Sequence, residues 1–466
     1  MKKLTFGLII GKRGFFPAHL CETGQQEMIE VIKSLGHEVV CLTDGPAGLE
    51  GIEDAQRCAK LFAEHGEEIS GIVVSLPNFG DERTVANAIR WSGLNVPVLV
   101  HAFPDQVDKL DIDHRRDSFC GKISVCNVLR QYGIPFSLTR SHTISPSSDE
   151  FKEDLQWFAG VCRIVKGLKN LRLGAIGTRP AAFATVRYSE KILERAGITV
   201  EPIDLSEILG RAQSLGDQDA AVLEKLASIE QYITINSGNK DSLLRMAKFG
   251  AVIDQWVKEH NLKGTAIQCW TSLEENFGIT PCSIMSMLTD QLIPSACEVD
   301  ITGLISMYAL QLASQEASAI VDWNNNYGND PDKVVFFHCS NYPKSLLETS
   351  EMGEHKIISR DVGRENAFGT VCGRLKSGPF TFARITTDDT SGQIRAYLGE
   401  GTMTSDPAET FGGYGVAQIP GLQDLMKYVC YNGFEHHAAI GYGNYASMVY
   451  EAFTRYLNWE TYYHQE

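Results

Sequence analysis

The amino-acid sequence predicts an α/β protein with two consecutive Rossmann-like (doubly wound) domains and a β-rich, barrel-like C-terminal domain. Apolar runs of strand length alternate with amphipathic stretches from the start of the chain, and the alternation restarts near residue 171. From about residue 346, apolar residues recur at every second position between frequent Gly and Asp. The first pattern is typical of βαβ units and the second of antiparallel sheets. We therefore expect domains at 1–165, 166–345 and 346–466.

The first domain contains four β-branched, apolar runs with the length of buried strands. The stretches between them, such as 25–35 and 54–65, place apolar residues on one helical face. Since strands joined by helical crossovers run parallel, we expect a parallel sheet here. The predicted strands are 4–11, 37–42, 70–77 and 96–103.

The later elements follow from the same two periodicities. The second domain is predicted to contain strands that start at Leu171 and Ile198, a strand at 264–270, and helices at 189–196, 220–232, 240–259 and 293–314. The third domain is predicted to contain strands at 356–363, 368–378, 379–389 and 392–403, followed by a C-terminal helix at 445–457.

Composition excludes several classes of protein. The 466 residues include 42 Lys and Arg against 58 Asp and Glu, a net charge of −16 that argues against nucleic-acid binding. No apolar run approaches the ~20 residues of a membrane span, and Lys12 and Arg13 come too early for a signal peptide. The 12 Cys include no CxxC pair, which is typical of reduced thiols. We expect a cytoplasmic enzyme without nucleic-acid or membrane partners.

Two glycine-containing loops follow predicted strands. GAIGTRP (174–180) lacks the third glycine of a dinucleotide-binding fingerprint, so a tight turn explains it better than a phosphate site. GKRGFFPAHL (11–20) places Arg13 at the carboxyl end of the first strand, the edge where open parallel sheets bind ligands. A solvated basic loop accounts for the second motif equally well.

Polar residues gather in the sequence between 265 and 301. Gln268 and Trp270 lie at the carboxyl end of a predicted strand. Glu298 and Asp300 stand near the start of a long apolar stretch predicted to be a helix. A carboxylate near a helix N-terminus is stabilised by the helix dipole, worth ~0.3–1 kcal/mol, and Asp300 alone satisfies that. Glu298, within the apolar IPSAC context, therefore needs another partner.

A predicted hairpin at 317–343 carries two further polar groups. The GNDPD segment is a strong turn signal, and a turn centred on Asp330 sets Asp322 directly opposite His338. Both residues follow apolar runs, where an unpaired polar group is costly to bury. They either hydrogen-bond each other or bind a hard divalent cation. Near the C terminus, the pair His436-His437 follows a glycine turn.

With these residues, the whole chain resembles the L-fucose/L-arabinose isomerase superfamily, closest to its L-fucose isomerase-like branch. The spacing of Glu298 and Asp322 and the late EHHA segment match the residues that bind Mn²⁺ in that branch. The resemblance implies that His437 is the late ligand and that His338 is a fourth. It also implies two Rossmann-like domains, a β-rich substrate domain, and a hexamer whose active sites lie near subunit interfaces.

The resemblance further implies an aldose–ketose isomerase that works through a cis-enediol. Mn²⁺, or another divalent cation, stabilises the developing oxyanion. Glu298 and Asp322 then combine metal ligation with acid–base catalysis. Substrate contacts are expected from Gln268, Trp270 and His436, and from Arg13 of a neighbouring subunit.

The substrate is left open at this point. A neutral sugar such as L-fucose or D-arabinose is the first expectation. Some members of the branch act instead on the sulfonated sugar sulfoquinovose and form sulfofructose, which requires an anion-binding clamp. Candidates for that clamp are Arg13, Arg116, Arg179 and Arg187. A non-catalytic sugar-binding protein and an NAD-dependent oxidoreductase are the alternatives from other classes.

Overall fold

A computed structural model describes residues 3–235 and 240–465. The ends of the predicted domain ranges, 1–2 and 466, and residues 236–239 lie outside the described residues. The chain divides into two compact units, Met1–Lys166 with Glu451–Asn458 and Gly167–Tyr450 with Trp459–Glu466. Among the described helices, none has the length and apolarity needed to cross a membrane.

The described part of the first unit is built on a five-stranded parallel sheet in the order β2-β1-β3-β4-β5. Its strands are β1 (Thr5–Ile10), β2 (Glu38–Val40), β3 (Ile69–Leu76), β4 (Val98–Ala102) and β5 (Ser137–Leu138). Its helices are α1 (Ala18–Ser34), α2 (Gly51–Glu64), α3 (Glu82–Ser92), α4 (Ser118–Gln131) and α5 (Asp149–Leu168).

This sheet is buried on both faces, as the continuous apolar runs predict. All eight residues of β3 are buried. Along β1, Ile9 packs in one apolar cluster, whereas Leu8 and Ile10 pack in another. Since successive side chains of a strand point to opposite faces, the two clusters cover the two faces of the sheet.

The second unit begins with another parallel sheet, which has four strands within the described residues, in the order β10-β9-β6-β7. Its strands are β6 (Leu171–Ile176), β7 (Ile198–Ile203), β9 (Thr265–Ile267) and β10 (Ser295–Cys297), while β8 (Thr234–Ile235) pairs elsewhere. The helices are α6 (Glu190–Arg195), α7 (Leu205–Ser214), α8 (Ala220–Tyr232), α9 (Lys240–Glu259), α10 (Ser272–Phe277), α11 (Cys282–Asp290) and α12 (Ile301–Ser314).

The remaining strands form a large mixed sheet, ten-stranded across the part of the chain that is described. Its further strands are β11 (Ala319–Asn326), β12 (Lys333–His338), β13 (Glu351–Glu354), β14 (Phe368–Arg374), β15 (Gly378–Asp388), β16 (Gln393–Thr404), β17 (Gly413–Gln418), β18 (His437–Tyr442) and β19 (Glu460–His464). The helices are α13 (Ser359–Val362), α14 (Leu422–Tyr431) and α15 (Ala446–Glu451), with a π-helical turn at Ala452–Tyr456. Short 3₁₀ turns occur at Ala184–Val186, Lys344–Leu346 and Arg364–Asn366.

The pairing order of this sheet is β19-β16-β15-β18-β11-β12-β17-β14-β13-β8. An additional pairing between β16 and β17 links six of its strands into a continuous circuit. The predicted hairpin, β11 and β12, thus belongs to the same sheet as the C-terminal strands, where β11 pairs with β18.

Two predicted elements are wrong. The segment 356–363 forms turns and the short helix α13 instead of a strand. The stretch 293–314 is helical only from Ile301, because Ser295–Cys297 extends the parallel sheet and Glu298 and Val299 adopt positive φ angles of 56° and 57°. An apolar run that enters a buried parallel sheet has no alternation that distinguishes it from a buried helix.

Glu274 in α10 provides a prediction about stability. It is fully buried, both carboxylate oxygens lack a hydrogen-bond partner within the described residues, and burial raises its pKa from 4.5 to about 8. Because the folded-state pKa exceeds the unfolded one, the stabilisation associated with protonated Glu274 is complete below pH 4.5 and is lost as the pH rises towards 8. The thermal-unfolding midpoint of the wild type should therefore fall over this pH range.

In Glu274→Gln, which keeps a neutral side chain at every pH, calorimetry should show a smaller fall, and the variant should be more stable than the wild type at pH 8. Glu275→Gln is the matched control, because Glu275 is the exposed neighbour on the same helix. Parallel pH profiles for the wild type and Glu274→Gln would contradict the prediction.

Candidate active site

Four of the predicted site residues lie together in the second unit. Glu298 directly follows β10, Asp322 lies in β11, His338 ends β12 and His437 begins β18. The carboxyl end of the small parallel sheet and three neighbouring strands of the large sheet thus contribute one residue each. Residues that are far apart along the chain therefore meet at one point of the fold.

These side chains lie close enough together that they could hold a cation. His437 Nε2 lies 3.9 Å from Glu298 Oε2 and 3.3 Å from Asp322 Oδ1. His338 Nε2 lies 4.0 Å from Glu298 Oε2. One ligand atom each from Glu298, His338 and His437 lies within 4.8 Å of the others, and the same holds for Asp322, His436 and His437. The two trios share His437.

The Glu298 carboxylate is held on one oxygen and unpartnered on the other. Trp270 Nε1 donates a hydrogen bond to Oε1 at 3.1 Å. Within the described residues, Oε2 has no hydrogen-bond partner, and the residue is only 4% exposed. Burial raises the pKa of Glu298, and the opposing effects of His437 and of the Trp270 hydrogen bond are smaller. A buried oxygen left free beside two imidazoles fits a divalent cation.

His437 is fixed by a carboxylate that the sequence analysis assigned only to a helix terminus. Its Nδ1 donates to Asp300 Oδ2 at 2.8 Å, so Nε2 is the atom that faces Glu298 and Asp322. Asp300 is also the N-cap of α12. Burial opposes its ionisation, but Arg384 and His437 hold its pKa far below the usual range. Such a carboxylate orients a metal-binding histidine.

A buried guanidinium supports this arrangement. Arg384 is fully buried and donates to both oxygens of Asp300, at 2.5 and 3.0 Å. It also donates to Glu435 Oε2 at 3.0 Å and to Thr302 at 2.9 Å, and Thr386 donates to Glu435 Oε1 at 2.6 Å. Arg384 and Glu435 were not predicted from the sequence. A usable signal existed, because Arg384 occupies the strand positions that otherwise carry buried Phe.

The register of the hairpin differs from the predicted one. Near the turn the pairing is centred on residue 330 as expected, but beyond Asn325 a β-bulge shifts it by one residue. Asp322 therefore lies opposite Phe337 and not opposite His338. On its other edge, Asp322 pairs directly with His437. The predicted cross-strand pair of Asp322 and His338 is wrong, and His437 takes that position.

Burial sets opposite protonation tendencies in the site. It raises the pKa of Asp322 to about 7, with the nearby Glu298 adding to the shift. It lowers the pKa of His338 well below the usual range, and that of His436 to about 4. The two histidines are therefore neutral at pH 7 and carry free lone pairs, whereas Asp322 is poised between acid and base.

An aromatic side chain that the sequence analysis missed packs against the histidines. The Phe183 ring lies 5.3 Å from the ring of His436, 5.7 Å from that of His437 and 5.8 Å from that of Trp270. His436 Nε2 lies 3.6 Å from Asp322 Oδ1. Phe183 and Trp270 thus give the polar cluster an apolar border.

The remaining predicted site residues have other partners. Gln268 Oε1 accepts from the Thr178 backbone N–H at 3.0 Å, and Gln268 borders a cleft of about 860 Å³ at the carboxyl edge of the small sheet. Arg13 belongs to the first unit, where it forms an ion pair with Glu82 and donates to the Gly80 carbonyl at 2.9 Å. The structure thus gathers seven of the predicted or newly found side chains around His437: Phe183, Trp270, Glu298, Asp300, Asp322, His338 and His436.

Comparisons with known proteins show similarity to fucose and sulfoquinovose isomerases. Residues 7–169 match the fucose/sulfoquinovose isomerase N-terminal domain, and residues 336–464 match the L-fucose isomerase C-terminal domain. A sulfoquinovose isomerase of Priestia aryabhattai is 28% identical over 456 residues, covering 96% of each chain. One from Alkalicoccus urumqiensis is 26% identical over 380 residues, covering 79% of this chain and 80% of its own.

Among solved structures, a glucose-galactose binding protein from Geobacillus stearothermophilus, GanP, is 14% identical and covers 67% of this chain and 92% of its own. Its TM-score is 0.16, which is too low to support any conclusion about this chain.

Proposed function

Because this chain belongs to the fucose/sulfoquinovose isomerase family, it is an aldose–ketose isomerase, and we propose that its substrate is a sulfonated aldose of the sulfoquinovose type. The observation that carries the proposal is the match to sulfoquinovose isomerases over 96% of both chains. From the sequence alone, a neutral sugar was the first expectation. The relatives favour its alternative, in which sulfoquinovose is converted to sulfofructose.

We propose that the isomerase depends on a divalent cation held by Glu298, Asp322, His437 and His338, with Mn²⁺ as the expected ion. The support is the donor set, since neutral imidazole and carboxylate suit a borderline-hard cation. Bound there, the ion would polarise the sugar carbonyl and stabilise the oxyanion that develops beside it. The free Oε2 of buried Glu298 is the second support.

In this proposal, the carboxylates of Asp322 and Glu298 carry out the acid–base catalysis. Asp322, whose side chain is 21% exposed, takes the proton from one carbon and returns it to the next. Glu298 passes a proton between the two sugar oxygens. Asp300 and Arg384 act as positioning residues, because they hold His437 and do not themselves face the sugar.

The apolar border is proposed to exclude water and to orient the sugar. Trp270 and Phe183 shield the enediol, and Gln268 and His436 contact hydroxyl groups. Arg179 and Arg187 flank Phe183 along the chain, and we propose them as candidates to bind the sulfonate.

Features beyond the second unit complete the proposal. We infer a hexamer in which a neighbouring subunit contributes Arg13, a cytoplasmic location, and a barrel-like C-terminal domain. The circuit of pairings through β16 and β17 supports the last of these. Family resemblance supports the others.

A substrate panel with Mn²⁺ tests the function. We expect kcat/KM for sulfoquinovose to exceed that for D-glucose, which differs in carrying a hydroxyl instead of the sulfonate, by about 100-fold or more, because charge-assisted hydrogen bonds supply roughly 3 kcal/mol. L-Fucose, D-arabinose and L-arabinose complete the panel. Removal of the metal by a chelator should abolish turnover, and Mn²⁺ should restore it. Faster turnover of L-fucose than of sulfoquinovose would refute the sulfonate assignment, whereas turnover that survives chelation would refute the metal.

A further inference from the structure

Two buried thiols lie against the carboxylate that the proposed metal centre uses. Cys297 ends β10, and Cys269 follows β9, the adjacent parallel strand. Their Sγ atoms and one Glu298 carboxylate oxygen lie within 4.8 Å of one another. Cys269, Cys297 and Glu298 are 3%, 1% and 4% exposed. The carboxyl ends of two parallel strands thus place two sulfur ligands and one oxygen ligand at a single point.

This cluster differs chemically from the one around His437. Two thiols and a carboxylate favour soft or borderline cations such as Zn²⁺ and Cd²⁺, whereas carboxylates with imidazoles also suit harder ones. In a tetrahedral zinc site with bonds of ~2.3 Å to sulfur, neighbouring sulfur atoms are about 3.8 Å apart. The ligand atoms lie within 4.8 Å of one another, so the two sulfur atoms need to approach by at most about 1 Å to reach that geometry.

A third thiol lies beside this cluster. The Cys282 thiol, at the start of α11, adjoins the thiol of Cys297. The cluster therefore offers a further sulfur ligand.

We propose that Cys269, Cys297 and Glu298 form a second cation site, selective for thiophilic divalent ions, and that its occupancy inhibits the isomerase. As the ion binds, each thiol loses its proton to solvent and forms a metal–sulfur bond, with no change of oxidation state. Inhibition follows because the Glu298 carboxylate is withdrawn from the centre around His437. The binding site stands on geometry alone, whereas the inhibition rests on the proposed function.

Titration of the metal-free chain with CdCl₂, in the absence of sugar, tests the site. Cadmium–thiolate charge-transfer absorption in the ultraviolet reports sulfur ligation directly. We expect Cys269→Ala and Cys297→Ala each to weaken this binding by about 100-fold or more, since each removes a direct ligand. Cys162→Ala is the matched control, because Cys162 is fully buried in the core of the first unit. Equal cadmium affinity in the wild type and in the two site variants would overturn the site.

The activity readout separates the two proposals. With the Mn²⁺-loaded chain, Cd²⁺ should inhibit the wild type and Cys162→Ala and should inhibit the site variants far less. If cadmium binding requires both thiols but the chain has no isomerase activity, the cation site is supported and the proposed function is rejected. Tight binding without inhibition would overturn the inhibitory role. If the site variants fail to fold, cadmium NMR of the unsubstituted chain tests the site instead. A cadmium chemical shift typical of oxygen and nitrogen ligands alone would overturn the site.

Discussion

Glu298→Gln is expected to lower kcat/KM about 10⁴-fold in a chain that remains folded. The substitution removes the negative charge whose free oxygen lies 3.9 Å from His437 Nε2 and 4.0 Å from His338 Nε2. Acid–base catalysis contributes ~10²–10⁴-fold and the cation several kcal/mol more, and both depend on this carboxylate in the proposed mechanism. Asp322→Asn should have a comparable effect for the same reason.

Steady-state assays with saturating Mn²⁺, together with metal analysis of the purified variant, measure this effect. Glu275→Gln removes the same charge from an exposed position and should retain wild-type rates. In Glu298→Gln the Trp270 indole can still donate to the carbonyl oxygen of the introduced amide, so the fold has no reason to change. Near-wild-type turnover in either Glu298→Gln or Asp322→Asn would remove that residue from the mechanism.

Arg384→Met is expected to destabilise the second unit by about 3–5 kcal/mol, the usual cost of removing one partner of a buried ion pair. Arg384 is fully buried, and its removal leaves Asp300 and Glu435 as uncompensated buried carboxylates. At about 2–4 °C per kcal/mol for a domain of this size, the calorimetric midpoint should fall by roughly 10 °C. His437 would also lose its firm orientation, so Mn²⁺ affinity should decrease.

Arg364→Met provides the control for the loss of an arginine. Its ion pair with Glu354 is at the surface, where the Arg364 side chain is 79% exposed, and such pairs contribute only ~0–1 kcal/mol. The midpoint of this variant should therefore stay within about 4 °C of the wild type. A similar midpoint for Arg384→Met would mean that the buried network is not a source of stability.

The periodicity of the chain was sufficient to predict much of the fold. The helices Ala220–Tyr232 and Lys240–Glu259 have the predicted bounds, and the four apolar runs of the first domain are strands of one parallel sheet. Such elements depend on the local spacing of apolar residues and on their burial, and both can be inferred from residues close together in the sequence. The prediction of a strand at 356–363 was wrong because a short alternating pattern also fits turns and a single helical turn.

The sequence by itself determined the parallel α/β layers, the strand-rich C-terminal part and the individual groups able to bind a cation. Tertiary structure alone decided how these groups meet. One β-bulge moved Asp322 from His338 to His437, and Asp300 contacts a histidine 137 residues away. The alternation of β15 indicates that Arg384 is buried, but only the tertiary structure shows that Asp300 and Glu435 are its partners. The physical reason is that spacing along a chain fixes which face a side chain occupies, whereas register, bulges and the packing of sheets fix which faces meet.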